Sequence, residues 1–130
     1  MAEGARLFHL VAADAWRPGT DAWTPPGFAR EGFVHLSFAA QLPGTLAAHF
    51  AGVERAWLVE VELADAAALR QEPSRGGALF PHLYRPLALA ELARHWELSR
   101  ADGALSPPSL GPRPDEDRPP ARPGPPPQSP

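Results

Sequence analysis

Three of the five histidines, His9, His35 and His82, each stand between two apolar residues. Neighbouring side chains of an extended segment point to opposite sides, so such an imidazole can face a cleft while its neighbours fill the core. A single histidine of this kind is explained equally well as a hydrogen-bonded core residue, but three of them favour a common site. An imidazole titrates near neutral pH, so its charge depends on burial. We expect His49 and His95, in more polar surroundings, to be solvated.

Ser37 follows His35 by two residues, so in an extended segment the two side chains lie on the same side. A cleft on that side would contain an imidazole and a hydroxyl together. The alternative is that Ser37 caps the turn that follows it. A serine hydrolase is not predicted, because the sequence around Ser37 has no G-x-S-x-G nucleophile elbow.

A zinc site made of three histidines is the alternative to a polar binding cleft, because neutral imidazoles from separate strands can bind zinc. The sequence contains neither an H-x-H nor an H-x-x-x-H pair, and no metal site is predicted. Gly76 and Gly77 do not lead into a helical pattern, which argues against a P-loop or a Rossmann phosphate site. The chain has no cysteine, which excludes disulfides and thiolate catalysis.

The charge pattern argues against a strongly basic surface. Residues 1–105 contain 9 Arg, no Lys and 12 acidic residues, and the whole chain has a net charge of −3. Binding DNA through its phosphates needs a basic surface, so no DNA partner is expected. No segment approaches the roughly 20 apolar residues of a membrane helix. We therefore predict a cytoplasmic protein with no membrane partner.

Proline divides the chain into two parts. Eleven of the 18 prolines fall among the last 25 residues, where the only large apolar residue is Leu110. Such a segment cannot bury enough apolar surface to offset the entropy lost on ordering it. We predict one domain over residues 1–105 and a disordered Pro-rich tail over 106–130. The Arg-Pro segments of this tail resemble ligands of polyproline-recognising domains.

Apolar periodicity and turn residues predict the elements that must position the site. An apolar stripe at spacings of four, four and three from Leu42 to Val53 predicts a helix that ends near Gly52. Acidic residues alternate with apolar ones near the end of 56–62, so we expect one side of that strand to be solvated. The sum is a small α+β domain of short strands with one or two helices. Strands are predicted over 6–11, 32–38, 56–62, 78–80 and 92–98, a short helix within 12–31, a helical turn over 65–70, a loop over 71–77 and a rigid irregular segment over 81–86.

Several motifs together resemble the bacterial domain-of-unknown-function family 952. They are Phe8-His9-Leu10, the segment EGFVHLS over 31–37 with Gln41 after it, Glu72-Pro73, and FPHLY over 80–84 before Pro86. The likeness covers about residues 6–98. The family usually has glycine between the tyrosine and the proline of the last motif, and Arg85 takes that place here.

This family is similar to proteins of the ADP-ribosyltransferase-like fold, which NAD-cleaving toxins and RNA 2′-phosphotransferases share. The resemblance implies a nucleotide- or NAD-related transferase, or a degenerate relative of one, with NAD or ADP-ribose as its ligand. The alternative is a non-catalytic binding or interaction module, in which the cleft holds a small anion or metabolite and the Pro-rich tail engages a partner.

The resemblance also implies roles for ligand-binding residues. His9 would donate a hydrogen bond to a ribose hydroxyl or a phosphate, and His35 with Ser37 would line the nicotinamide–ribose part of a pocket. Tyr84 would stack on a flat ring. Arg85 would place a cation beside the cleft.

Transfer chemistry of this kind passes through a positively charged sugar, which a carboxylate stabilises better than an imidazole does. Glu72 is a carboxylate near His82 in the sequence, and it is nominated for this role. The predicted catalytic residues are therefore His9, His35, His82 and Glu72, and the predicted ligand-binding residues are Ser37, Tyr84 and Arg85.

Overall fold

The computed structural model describes residues 6–18, 22–74, 77–100 and 105–111. These residues form nine short strands and two α-helices, so the α+β class is confirmed. The strands are β1 (Leu7–Ala12), β2 (Ala22–Trp23), β3 (Val34–His35), β4 (Ser37–Phe38), β5 (Arg55–Val61), β6 (Leu69–Pro73), β7 (Leu79–Leu83), β8 (Leu87–Ala88) and β9 (Leu92–Ser99). The helices are α1 (Phe28–Glu31) and α2 (Leu42–His49), and short 3₁₀ turns occupy Ala13–Ala15, Ala39–Gln41 and Leu89–Glu91.

The described strands form three antiparallel sheets. The largest has the order β4-β1-β5-β9, the second has the order β3-β7-β6, and β2 pairs with β8. β1 pairs with β5 over its whole length, from Leu7 opposite Val61 to Ala12 opposite Ala56. Both strands are rich in the β-branched, aromatic and leucine side chains that fill a half-buried sheet surface. The strands predicted over 6–11, 56–62 and 92–98 are confirmed as β1, β5 and β9.

The segment predicted as one strand over 32–38 divides at Leu36 between two sheets. β3 pairs with β7, whereas β4 pairs with β1. Between them, the backbone N–H of Leu36 donates to the carbonyl oxygen of Pro81 at 2.9 Å. This crossing joins the sheet that carries His9 to the sheet that carries His82.

The predicted apolar stripe is confirmed, because Leu42 and Leu46 are buried and Phe50 and Val53 pack beside them, but α2 ends at His49, short of the predicted end near Gly52. This stripe packs on one side of the large sheet. It forms one buried cluster with Phe8, Ala56, Leu58, Leu98 and Leu105. A second core cluster lies around Trp23, Val34, Leu36, Leu83 and Leu87. Burying these side chains supplies the main stabilising term of so small a domain.

Two predictions for residues 65–86 are wrong. In place of the helical turn over 65–70 and the start of the loop over 71–77, β6 runs over Leu69–Pro73 and pairs with β7. The rigid irregular segment predicted from Pro81 begins inside β7. Pro81 has no N–H to donate, but its carbonyl oxygen accepts from Leu36. β6 and β7 form a hairpin, and β7 also pairs with the distant β3; local turn signals do not reveal either pairing.

Glu60 corrects the expectation of a solvated side on the strand over 56–62. Its side chain is 1% exposed and accepts hydrogen bonds from Arg6 Nε at 2.8 Å and Arg94 Nη2 at 3.0 Å. Burial by itself raises the pKa of Glu60, but the hydrogen bonds from the two arginines outweigh burial and hold that pKa below its usual value. A buried carboxylate is tolerated here because two cations pair with it.

Residues 105–111, which follow the last strand, contact the domain. Leu105 is buried, the carbonyl oxygen of Gly111 accepts from Arg6 Nη1 at 2.7 Å, and that of Leu110 accepts from Arg94 Nη2 at 3.3 Å. The remainder of the predicted tail, 112–130, lies outside the described residues. In the part of the chain that the structure describes, no helix is long and apolar enough to span a membrane.

Candidate functional site

A cavity of about 500 Å³ is lined by residues of β1, of the segment over 31–37 and of α2. Its volume is in the range of small-molecule binding sites. Apolar side chains such as Phe33, Leu36 and Phe80 form part of its wall. Its polar lining includes His9, Glu31, His35, Ser37, Thr45 and His49.

His9 reaches this cavity because it alternates with Phe8 along β1. Phe8 packs under α2, whereas the imidazole of His9 contacts Trp23, with the two ring centroids 5.1 Å apart. His9 Nδ1 donates to the backbone carbonyl oxygen of His35 at 2.7 Å. A carbonyl oxygen can only accept, so the ring proton is on Nδ1 and Nε2 carries a lone pair. Among the described residues, the buried Nε2 atom has no hydrogen-bond partner.

Burial lowers the pKa of His9 to about 4, although its hydrogen bond to the His35 carbonyl acts in the opposite direction. His9 is therefore neutral at pH 7, and its Nε2 can accept a hydrogen bond but cannot donate one. The donor role expected for His9 is thereby reversed: a ribose hydroxyl would donate to it.

His35 and Glu31 form a pair beside the cavity. His35 Nε2 donates to Glu31 Oε1 at 3.0 Å, and the His35 side chain is 53% exposed. Glu31 ends α1, and Gly32 follows it with a φ of 86°, a conformation that favours glycine. This turn directs the chain into β3 and sets Glu31 beside His35. Sequence reasoning missed Glu31, although it begins the same EGFVHLS segment and is the cavity's carboxylate among the described lining residues.

Ser37 lines the same cavity and is buried. Its Oγ lies 3.4 Å from Thr45 Oγ1 on α2, so two hydroxyl groups stand together there. The alternative role of Ser37 as a turn cap is not what forms. Instead, Gln41 Oε1 accepts from the backbone N–H of Phe38 at 2.9 Å.

A second polar cluster, formed by Glu72, His82 and Tyr84, lies on the sheet of β3, β7 and β6. Glu72 Oε1 accepts from both His82 Nδ1 at 2.7 Å and Tyr84 Oη at 2.6 Å. The Phe33 ring stacks on His82 with the centroids 4.2 Å apart, and the His35 ring meets His82 edge-on at 5.0 Å. His82 is 5% exposed, and its Nε2 has no hydrogen-bond partner among the described residues.

The hydrogen bonds of this cluster change the acidity of two members. The Tyr84 hydroxyl and, next, the His82 imidazole lower the pKa of Glu72, and the Glu72 carboxylate raises the pKa of Tyr84. None of these three described residues lines the cavity. The cluster adjoins the cavity through Phe33 and His35, which contact His82 and also line the cavity wall.

Arg85 lies apart from both groups instead of adding a cation to the cleft. Its guanidinium donates to Glu91 Oε1 at 2.9 Å and Oε2 at 2.8 Å. The carboxylate of Glu91 also accepts from the backbone N–H groups of Ala64 and Ala88. The Arg85 hydrogen bond is the main reason that the pKa of Glu91 falls to about 2, and burial only partly opposes it. Arg85 thus anchors two loops.

Within the described residues, no group of three or more His, Asp or Glu side chains could hold a metal ion. The polar groups of the cavity are instead suited to hydrogen bonding.

The family model described as "Protein of unknown function (DUF952)" matches residues 10–95. The chain belongs to this DUF952 family. The matched range begins one residue after His9 and includes the other six residues predicted for the site. The resemblance seen in the sequence motifs is confirmed at the level of this family.

Solved structures of one other protein are similar to this chain. The crystal structure of protein CC0527 from Caulobacter crescentus is 32% identical, with a TM-score of 0.63, over 78% of this chain and 93% of that chain. Its solution NMR structure is 30% identical, with a TM-score of 0.61, over 77% and 90% of the two chains. No match is found among curated proteins.

The structure separates the predicted site residues of this DUF952 member into three places. His9, His35 and Ser37 share the cavity, which Glu31 and Thr45 also line. The remaining predicted residues lie elsewhere: Glu72, His82 and Tyr84 form the second cluster, and Arg85 pairs with Glu91.

Proposed function

We propose that this protein binds a small nucleotide-related ligand, with NAD and ADP-ribose as the candidates, in the cavity beside His9. The observation that carries the proposal is that His9, His35 and Ser37 all line one cavity of about 500 Å³. The likeness of the sequence motifs to proteins of the ADP-ribosyltransferase-like fold supports a ligand that contains a ribose.

The cavity offers complementary groups for such a ligand. His9 lines the cavity, and its Nε2 is buried without a partner among the described residues; a ligand that moves the cavity wall enough to uncover this atom would let a ribose hydroxyl donate to it. Leaving such a group unsatisfied costs about 1–3 kcal/mol, which a ligand hydroxyl would recover. The hydroxyls of Ser37 and Thr45 can both donate and accept. The ring of Phe33, on the cavity wall, suits a flat base or pyridine ring.

Transfer of a ribosyl group would need a carboxylate beside the developing positive charge on the sugar. Glu72 does not line the cavity and is bound to His82 and Tyr84. Glu31 does line it. In this proposal Glu31 takes the role that the sequence motifs suggested for Glu72, and the Glu72 cluster supports the cavity wall through Phe33 and His35.

The test is a titration of the purified protein with NAD, ADP-ribose and nucleoside phosphates, followed by tryptophan fluorescence. Trp23 contacts His9 and should report on occupancy. We expect His9→Ala and His35→Ala to weaken binding by about tenfold or more, because each removes a polar contact in the cavity. Glu62→Ala is the control, since Glu62 is exposed and does not line the cavity.

Binding that is unchanged in both variants, or no response to any of these ligands at millimolar concentration, would contradict the proposal. Circular dichroism of each variant shows that weakened binding does not come from unfolding.

A further inference from the structure

The described lining of the cavity combines one carboxylate, Glu31, with the hydroxyls of Ser37 and Thr45 and with three imidazoles, those of His9, His35 and the exposed His49. His9 Nδ1 is committed to the His35 carbonyl oxygen, so His9 presents a lone pair on Nε2. The burial that keeps this imidazole neutral also prevents it from acting as a cation. A phosphate oxygen would meet lone pair against lone pair at this atom.

Glu31 adds a negative charge to the same cavity. Its side chain is 36% exposed, and its Oε1 accepts the Nε2 proton of His35. The donor atom by which His35 would bind a phosphate is therefore already used. Phosphate sites in proteins normally offer arginine, lysine or several backbone N–H groups. Among the described lining residues, none is arginine or lysine.

We infer that the part of the ligand held in this cavity carries no phosphate and is a hydroxyl-bearing, uncharged or cationic group of the nucleoside type. The inference rests on the proposed function and specifies its ligand class: the cavity recognises the ribosylated ring, and any phosphates lie outside it. The sugar hydroxyls would then donate hydrogen bonds to His9 Nε2. They would donate to, or accept from, the hydroxyls of Ser37 and Thr45.

The experiment compares three probes of different charge on the full chain by isothermal titration calorimetry. Adenosine is uncharged, AMP is an anion and nicotinamide riboside is a cation. We expect adenosine to bind at least as tightly as AMP, and millimolar inorganic pyrophosphate not to displace it.

Glu31→Gln separates the effect of charge from that of shape. A partly exposed charge contributes modestly, so the variant should bind nicotinamide riboside about threefold more weakly and AMP about threefold more tightly, each taken relative to the affinity of the same variant for adenosine. Glu62→Gln is the control, because Glu62 is exposed and does not line the cavity. It should change none of the three affinities.

Two results would overturn the inference while leaving the proposed function standing. The first is AMP binding about tenfold or more tightly than adenosine, a difference of about 1.4 kcal/mol. The second is displacement of adenosine by pyrophosphate. If no nucleoside, nucleotide, NAD or ADP-ribose binds at all, the proposed function fails and this inference fails with it.

Discussion

His9 and His82 are both buried, and each donates its Nδ1 proton to an oxygen 2.7 Å away. In each, Nε2 has no hydrogen-bond partner among the described residues. The acceptors differ: His9 donates to a neutral backbone carbonyl, whereas His82 donates to the carboxylate of Glu72. A carboxylate stabilises a protonated imidazole far better than a carbonyl does. The same local geometry therefore produces a neutral acceptor beside the cavity and a carboxylate-bound imidazole beneath Phe33.

The two acceptors also differ in whether a substitution can remove them. The acceptor of His9 is part of the backbone, so no substitution of a side chain removes it. The acceptor of His82 is a side chain that also binds Tyr84. Substitutions can therefore remove the hydrogen bonds of the second cluster one at a time. His9 is best tested through the protonation of its own ring.

The largest expected effect is the pH dependence of stability that His9 causes. Its pKa is about 4 in the folded protein, against an ordinary value of 6.5. The unfolded chain binds this proton more readily, so the contribution of His9 is fully present above about pH 6.5 and is lost as pH falls through 4. Between pH 7 and pH 4 the wild type should lose about 3 kcal/mol more unfolding free energy than His9→Gln does, measured by urea denaturation.

The control for that experiment is His95→Gln, which should follow the wild type because His95 is exposed. Parallel losses in the wild type and His9→Gln would contradict the account. If His9→Gln does not fold, an NMR titration of the His9 ring in the wild type measures the same pKa.

A smaller effect is expected from Glu72→Gln. The substitution removes the negative charge of the carboxylate to which both His82 and Tyr84 donate hydrogen bonds, and we expect Tm to fall by about 4 °C. Affinity for the cavity ligand should stay within about twofold of the wild type, because Glu72 does not line the cavity. Glu62→Gln serves as the control for the loss of one carboxylate. A loss of affinity as large as that of His9→Ala would show that the two clusters form one site.

The smallest effect is expected from Tyr84→Phe, which removes one of the two hydrogen bonds to Glu72 Oε1. We expect Tm to fall by about 2 °C. The Tyr84 hydrogen bond is the largest cause of the lowered pKa of Glu72, so that pKa should move back toward its usual value. The carboxyl ¹³C signal of Glu72, followed against pH, measures the change. An unmoved pKa would mean that His82 alone controls the carboxylate.

Local sequence patterns predicted the elements whose residues have one clear apolar period. The stripe from Leu42 to Val53 gave the face of α2, and the apolar run over 6–11 gave β1. The patterns failed where pairing with another segment decides the structure. Glu60 was expected to be solvated because acidic residues alternate there, but Arg6 and Arg94 from other segments enclose it. β6 contains turn-like residues and forms because β7 pairs with it.

The sequence allowed several residues of the site to be predicted, but not the hydrogen bonds that they make. The flanking apolar residues predicted a common site for His9, His35 and His82, and strand alternation predicted that Ser37 lies on the side of His35. His9, His35 and Ser37 do line the cavity, whereas His82 lies in the second cluster. The direction of the His9 hydrogen bond was not predictable, because it depends on the His35 carbonyl that the crossing at Leu36 brings within reach. Glu31 was overlooked because only the turn at Gly32 sets it beside His35.

The central claim is that the ligand is recognised at His9 and not at His82, and ring ¹⁵N–¹H NMR tests it most directly. Without ligand, His9 should show a protonated Nδ1 and a bare Nε2 at pH 7. Saturating ADP-ribose or nicotinamide riboside should shift the His9 Nε2 signal toward that of a hydrogen-bonded acceptor and leave the His82 ring unchanged. A shift confined to His82, or a His9 signal that does not move when the ligand is bound, would contradict the account.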